Sequence, residues 1–129
     1  MKLLLDTHIF LWYISADGRL PSDFQQAIRD PNNEVYLSVA SLWEIIVKYQ
    51  LGKLPLPQSL ESYLSAQRQK HLISSLPLDE QSVMKLTSLP TIHRDPFDRM
   101  LICQAMANDL TIVTVDDSIK SYSVKFLTK

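Results

Sequence analysis

Short β-forming runs that end abruptly at a polar residue alternate with helical patterns along the whole chain, and this alternation restricts the fold more than any other feature. Lys2 to Leu5 is an apolar run stopped by Asp6 and reads as a buried strand. Thr7 to Ile14 has helical spacing, with Ile9, Phe10, Tyr13 and Ile14 available to one face. Asp17-Gly18 and Pro21 mark a loop, Ser22 to Arg29 a second helix, and Pro31-Asn32-Asn33 its end. Glu34 to Leu37 is the next strand. Ser38 N-caps a helix reaching about Gln50 and stopped by Gly52, with Ser38, Ser41, Glu44 and Lys48 recurring on its polar side.

Pro55 and Pro57 delimit a connector, and Ser59 to Lys70 predicts a polar surface helix. Leu72 to Leu78 contains an edge strand, and Asp79 caps a short helix ending near Pro90. Asp95-Pro96 opens a helix that runs to about Asn108, because proline suits the first helical position and an acidic cap satisfies free N–H groups. Thr111 to Val115 reads as a central strand, Asp117 to Tyr122 as a turn of helix, and Val124 to Leu127 as a last strand. Strands alternating with helices imply parallel pairing and right-handed crossovers, hence an α/β fold: a three-layer α/β/α sandwich around a mostly parallel sheet.

The 129 residues suffice for one domain with a single core, so 1–129 is read as one unit. A formal charge of −1 supplies no global basic field, so nucleic-acid binding would need a local patch. One cysteine, Cys103, excludes an internal disulfide, and three scattered histidines make no zinc-like ligand set. Asp6 and His8 interrupt the first apolar stretch too early for a signal peptide, and no run approaches the ~20 residues of a membrane span. A cytosolic protein without membrane contact is the expectation.

Four acids, Asp6, Glu44, Asp98 and Asp116, fall where such a fold collects residues. Asp6 and Asp116 close strand runs, at the carboxyl rim where open parallel sheets place their sites. The Ser38 helix rises from that rim and presents Glu44, whereas topology alone places Asp98 less securely. Two like charges about 4 Å apart repel by about 4 kcal/mol at an effective dielectric near 20, so converging carboxylates call for a cation. Oxygen ligands select magnesium, manganese or calcium, and such an ion can activate water and polarise a phosphodiester. Phosphodiester hydrolysis is the reaction best matched to acids and metal without histidine or cysteine.

Four segments together resemble the PIN domain, in particular the VapC-like toxins of bacterial toxin–antitoxin pairs: Leu3-Leu-Leu-Asp6-Thr7-His8 with Leu11-Trp12, Ser38-Val-Ala-Ser41-Leu-Trp43-Glu44-Ile, His93-Arg94-Asp95-Pro96-Phe97-Asp98-Arg99, and Thr114-Val115-Asp116. Their order and spacing span nearly the whole chain. The resemblance implies a Mg²⁺- or Mn²⁺-dependent endoribonuclease acting on RNA, held inactive by a cognate antitoxin, and a homodimer. It maps the catalytic and metal-binding acids onto Asp6, Glu44, Asp98 and Asp116, with Thr7 and Thr114 as hydroxyl support and Asp95 as a fifth contributor. His8 stands where many relatives have a smaller polar residue.

Each residue also has an ordinary structural reading. Asp6 alone would start an Asx-turn, Glu44 would be a solvated helix residue, and Asp98 would complete a capping-box-like arrangement with Asp95. Either Asp116 or Asp117 must cap the helix that follows, and the Thr-x-Asp spacing favours Asp116 for the site. Lys48, Arg94 and Arg99 stand equally as RNA phosphate contacts or as partners of neighbouring acids. Phe10, Trp12, Trp43 and Phe97 read as core or dimer-interface residues, His71 and His93 as surface residues, and Cys103 as an inert helix residue. Two other functions compete: a phosphoacceptor receiver, which would want an acid at the end of the middle strand, and a non-catalytic binding module, in which an acid would be expected to be lost.

Overall fold

The computed structural model describes residues 1–127. Strand β1 (Lys2–Leu5) is followed by helices α1 (Thr7–Ile14) and α2 (Ser22–Arg29), then by β2 (Glu34–Ser38), α3 (Val39–Gln50) and α4 (Leu60–Lys70). Strand β3 (Ser74–Leu76), a short helix α5 (Glu80–Met84) and a 3-10 turn (Lys85–Thr87) lead to α6 (Pro96–Asn108), β4 (Thr111–Val113) and α7 (Asp117–Lys120). The strands form one sheet in the order β3-β2-β1-β4, and every pair is parallel. In register, Leu3 faces Val35 on one side and Thr111 on the other.

The pleat explains why β1 is apolar throughout. Successive side chains point to opposite faces, and helices cover both. Leu3 and Leu5 join Val35, Leu37 and Val113 in a core with Ile9, Phe10, Phe24, Ile28, Ile45 and Leu64 from α1 to α4. Leu4 and Ile112 face the other way, into a core with Leu101, Ile102 and Ala105 of α6 and Ile119 of α7. A strand covered on both sides has no solvent face to make polar, and fully burying each leucine contributes roughly 1.5–3 kcal/mol.

Caps set the helix starts. Ser38 accepts from Ala40 N–H, Asp79 from Ser82 N–H, and Asp95 from the N–H groups of both Phe97 and Asp98, with Pro96 at the first position of α6. Just beyond α3, Gly52 takes a φ of +73°, the left-handed turn that stops the helix. Among the described residues no helix is long and apolar enough to cross a membrane.

The C-terminal end departs from the sequence expectation. Strand β4 stops at Val113 because Thr114 turns the chain: its hydroxyl accepts from the Asp116 N–H at 3.0 Å. The chain returns after α7 through a bend and reaches the sheet only at residues 125–127, so the expected last strand reduces to one parallel bridge, Ile112 with Phe126. Strand β4 therefore has a full neighbour, β1, on one side only, and the central pair is β1 and β2.

Candidate metal centre

Asp6 occupies the N-cap position of α1 but makes no side-chain cap bond, which leaves its carboxylate for another task. Leu5 pairs with Val113, so the residues just beyond the two strand ends lie side by side. There the Thr114 hydroxyl donates to Asp6 Oδ2 at 2.8 Å while accepting from Asp116 N–H, a relay that joins the two strand ends. Both Asp6 and Thr114 are buried.

Thr7, the first residue of α1, faces α3. Its Oγ1 lies 2.7 Å from Glu44 Oε1 and 2.9 Å from Ser41 Oγ, and its single proton is best directed to the carboxylate. Glu44 is 2 % exposed, which the ordinary reading of a solvated helix residue does not accommodate. Its second oxygen, Oε2, accepts from Lys48 Nζ one turn later.

Asp98 reaches this rim because of helix direction. A helix that feeds a parallel strand runs antiparallel to it, so the N-terminus of α6 stands beside the carboxyl ends of β1 and β4. Asp95 Oδ1 caps that terminus at 2.9 and 3.1 Å from the Phe97 and Asp98 nitrogens, which leaves the Asp98 side chain free of capping duty. Asp98 Oδ2 instead meets His93 Nε2 at 2.8 Å. One ligand atom each from His93, Asp98 and Asp116 fall within 4.8 Å of one another. Asp116 also caps α7 through Oδ1, at 2.8 Å from Ser118 N–H, while Asp117 is exposed.

The local electrostatics are those of crowded acids. Burial pushes the Asp98 carboxyl up to about 7; the Asp6 charge adds to the shift, the His93 bond opposes it, and Asp95 and Glu44 raise it further. Burial also raises Asp6, against the Thr114 hydrogen bond and the nearby His8. Burial disfavours the Lys48 ammonium, but its bond to Glu44 and the charges of Glu44, Asp95 and Asp98 outweigh that and hold it above the ordinary lysine range. The mutual influence of Asp6, Glu44, Asp95 and Asp98 marks them as one electrostatic unit. Carboxylates raised by burial and by each other suit a hard divalent cation, which would remove the repulsion and replace lost hydration.

The structure thus brings Asp6, Glu44, Asp98 and Asp116 to one rim with Thr7 and Thr114 bonded to two of them, and it gives Asp95 a capping role beside them. His8 is exposed and tilted against Trp12. His93 corrects the sequence expectation of a surface residue. So does His71, which is half-buried with its ring edge-on to Tyr13. Trp43 is 60 % exposed and packs edge-on against Phe97 at 5.0 Å, so it stands outside the core.

His93 opens one of the four segments that carry the family resemblance, but nothing in that segment gives it a ligand role; what holds it are Tyr122 and Arg99. Its N–H donates to Tyr122 Oη at 2.7 Å, and Arg99 Nη1 donates to His93 O, Pro90 O and Tyr122 Oη. The signal available beforehand was proximity: His93 lies just upstream of the α6 cap and can fold back over it. Arg99→Ala is expected to speed amide exchange at His93 about tenfold, the loss of roughly one charged hydrogen bond. Hydrogen-exchange NMR measures this, and an unchanged rate would show that the arginine does not hold the loop.

A family model described as "PIN domain" matches residues 3–125. Ribonuclease VapC16 of Mycobacterium tuberculosis is 40% identical over 52 residues, a stretch covering 40% of this chain and 37% of that protein. Among solved structures, VapBC2 from Rickettsia felis bound to a DNA fragment from its promoter superposes with a TM-score of 0.73 at 18% identity, covering 98% of each chain. VapBC-5 from Mycobacterium tuberculosis, described as a member of the VapBC family of toxin–antitoxin systems, gives a TM-score of 0.56 at 19% identity over 99% of this chain and 98% of the other. With a parallel α/β sheet, acids gathered at its carboxyl rim and a family match over almost its full length, the chain belongs to the PIN domain family.

Proposed function

We propose that this protein is a divalent-metal-dependent endoribonuclease that acts as the toxin of a toxin–antitoxin pair. The observation that carries the reading is the convergence of Asp98, Asp116 and His93 ligand atoms within 4.8 Å, with the buried Asp6 and Glu44 close enough to shift Asp98. The partial match to a protein named a ribonuclease supports the reaction, and the likeness to a toxin–antitoxin structure supports an inhibitory partner. The antitoxin, the RNA substrate and a homodimer are all part of this proposal.

In this reading Asp6, Glu44, Asp98 and Asp116 hold Mg²⁺ or Mn²⁺, which when bound would neutralise the reacting phosphate and activate water. The protein's own groups prepare the site. Thr114 fixes the Asp6 carboxylate through Oδ2, and Thr7 fixes Glu44 through Oε1, so the acids face inward without having to be ordered during reaction. Lys48 tethers the other Glu44 oxygen and is itself partly exposed, so it can also meet an RNA phosphate. Arg94 is exposed beside the Asp95 cap and suits the same role better than Arg99, whose guanidinium is bonded to the 89–93 segment.

A receiver-like reading is disfavoured by β2, which ends at Ser38. That hydroxyl caps α3 and bonds Gln104, and no acid stands at the strand end. The deciding experiment is cleavage of a labelled single-stranded RNA by antitoxin-free protein. Cleavage is expected with Mg²⁺ or Mn²⁺, should vanish with excess EDTA and should return when metal is restored. Cleavage that persists in chelator, or none with any divalent ion, would overturn the reading.

A further inference from the structure

We infer that His93 is a nitrogen ligand of the same cation, so that the centre is a mixed nitrogen–oxygen site rather than a purely carboxylate one. The inference rests on the metal-dependent reading above. Three observations converge on it. First, the His93 backbone is clamped from two elements, by Tyr122 at its N–H and by Arg99 at its carbonyl, so the residue is held beside the start of α6 independently of its side-chain bond. Second, the ring is only 26 % exposed and points Nε2 at Asp98 Oδ2 from 2.8 Å. Third, a ring nitrogen of His93 and one carboxylate oxygen each from Asp98 and Asp116 lie within 4.8 Å of one another. Ligands at ~2.1 Å from an octahedral ion are separated by roughly 3 Å at neighbouring corners and roughly 4.2 Å at opposite ones. The spacing of the three groups is thus close to that of one coordination shell.

A nitrogen in the shell alters metal choice. Magnesium prefers oxygen, whereas imidazole suits the transition ions, so His93 should tilt the centre toward Mn²⁺. A ring that merely donates a hydrogen bond to Asp98 would orient the carboxylate and leave that preference unchanged. Loss of affinity alone does not separate these roles, because removing an orienting partner also weakens binding by about 10- to 100-fold. The nitrogen must be seen on the metal.

The test is pulsed EPR of Mn²⁺ bound to the full chain, with Mg²⁺ competition measured alongside. The wild-type protein is expected to show ¹⁴N coupling from one directly bound imidazole. That coupling should disappear in His93→Gln and persist in His8→Gln, which controls for the other histidine near Asp6. The preference for Mn²⁺ over Mg²⁺ should shrink by about tenfold in His93→Gln. Mn²⁺ bound without ¹⁴N coupling in the wild type would overturn the assignment and leave His93 as a positioning residue, with the nuclease reading intact. Failure of the wild type to bind Mn²⁺ at all would overturn both. Because the decisive spectrum is that of the unmodified protein, poor folding of His93→Gln would not rescue the assignment.

Discussion

Asp6→Asn is expected to slow RNA cleavage roughly 10²- to 10³-fold, the usual cost of deleting one preorganised electrostatic group from an active centre. The substitution isolates charge from shape. The Thr114 hydroxyl can still donate to the amide oxygen, so the relay from Asp116 N–H through Thr114 survives and the strand ends keep their spacing. The full negative charge facing the cation is lost. Burial already disfavours ionised Asp6, so the neutral side chain should not unfold the metal-free protein, and its far-UV circular dichroism should match the wild type. Single-turnover cleavage of a labelled RNA at saturating Mg²⁺ measures the effect. A loss smaller than tenfold would remove Asp6 from the site.

Local signals in the sequence located what local physics decides. The apolar run of β1 follows from burial on both faces, and the starts of α3 and α6 follow from Ser38 and Asp95 as caps. Asp6 directly follows β1 as the sequence implies, whereas Asp116 lies past the Thr114 turn at the cap of α7 and reaches the same rim through the Thr114 relay. What stayed hidden depends on contacts between distant residues. The backbone at His93 is held by Tyr122, 29 residues away, and by Arg99 on the following helix. The same two contacts explain why Arg99, adjacent to Asp98 in sequence, serves the loop. The last strand differs from the sequence expectation for a related reason: β-forming residues at 124–127 do not reveal that Thr114 ends β4 early and leaves one bridge to make.

Asp98 links the site to stability, and the direction of its shift sets the outcome. In the unfolded chain it titrates near 3.8, and in the folded protein burial and then the Asp6 charge push it up to about 7. Between those values the folded state holds a proton that the unfolded state has released, so stability falls as pH rises through this window. Above pH 7 the penalty is complete. Taken at face value the shift corresponds to about 4 kcal/mol, but the carboxyl is partly reached by solvent, and screening reduces the expected penalty to about 1–2 kcal/mol. In chelator, Asp98→Asn should therefore be more stable than wild type by about that amount at pH 8, with the gain fading toward pH 4, as measured by urea unfolding. Metal reverses the ranking. A cation needs the ionised carboxylate, so wild-type affinity should drop about tenfold for each pH unit below 7, and a hundredfold excess over Kd at pH 8 should stabilise the wild type by about 2.7 kcal/mol while leaving Asp98→Asn nearly unmoved. An equal difference between the two proteins at pH 4 and pH 8 would mean that Asp98 is not held protonated by burial and the acids around it, and the electrostatic basis for placing a cation beside it would be lost.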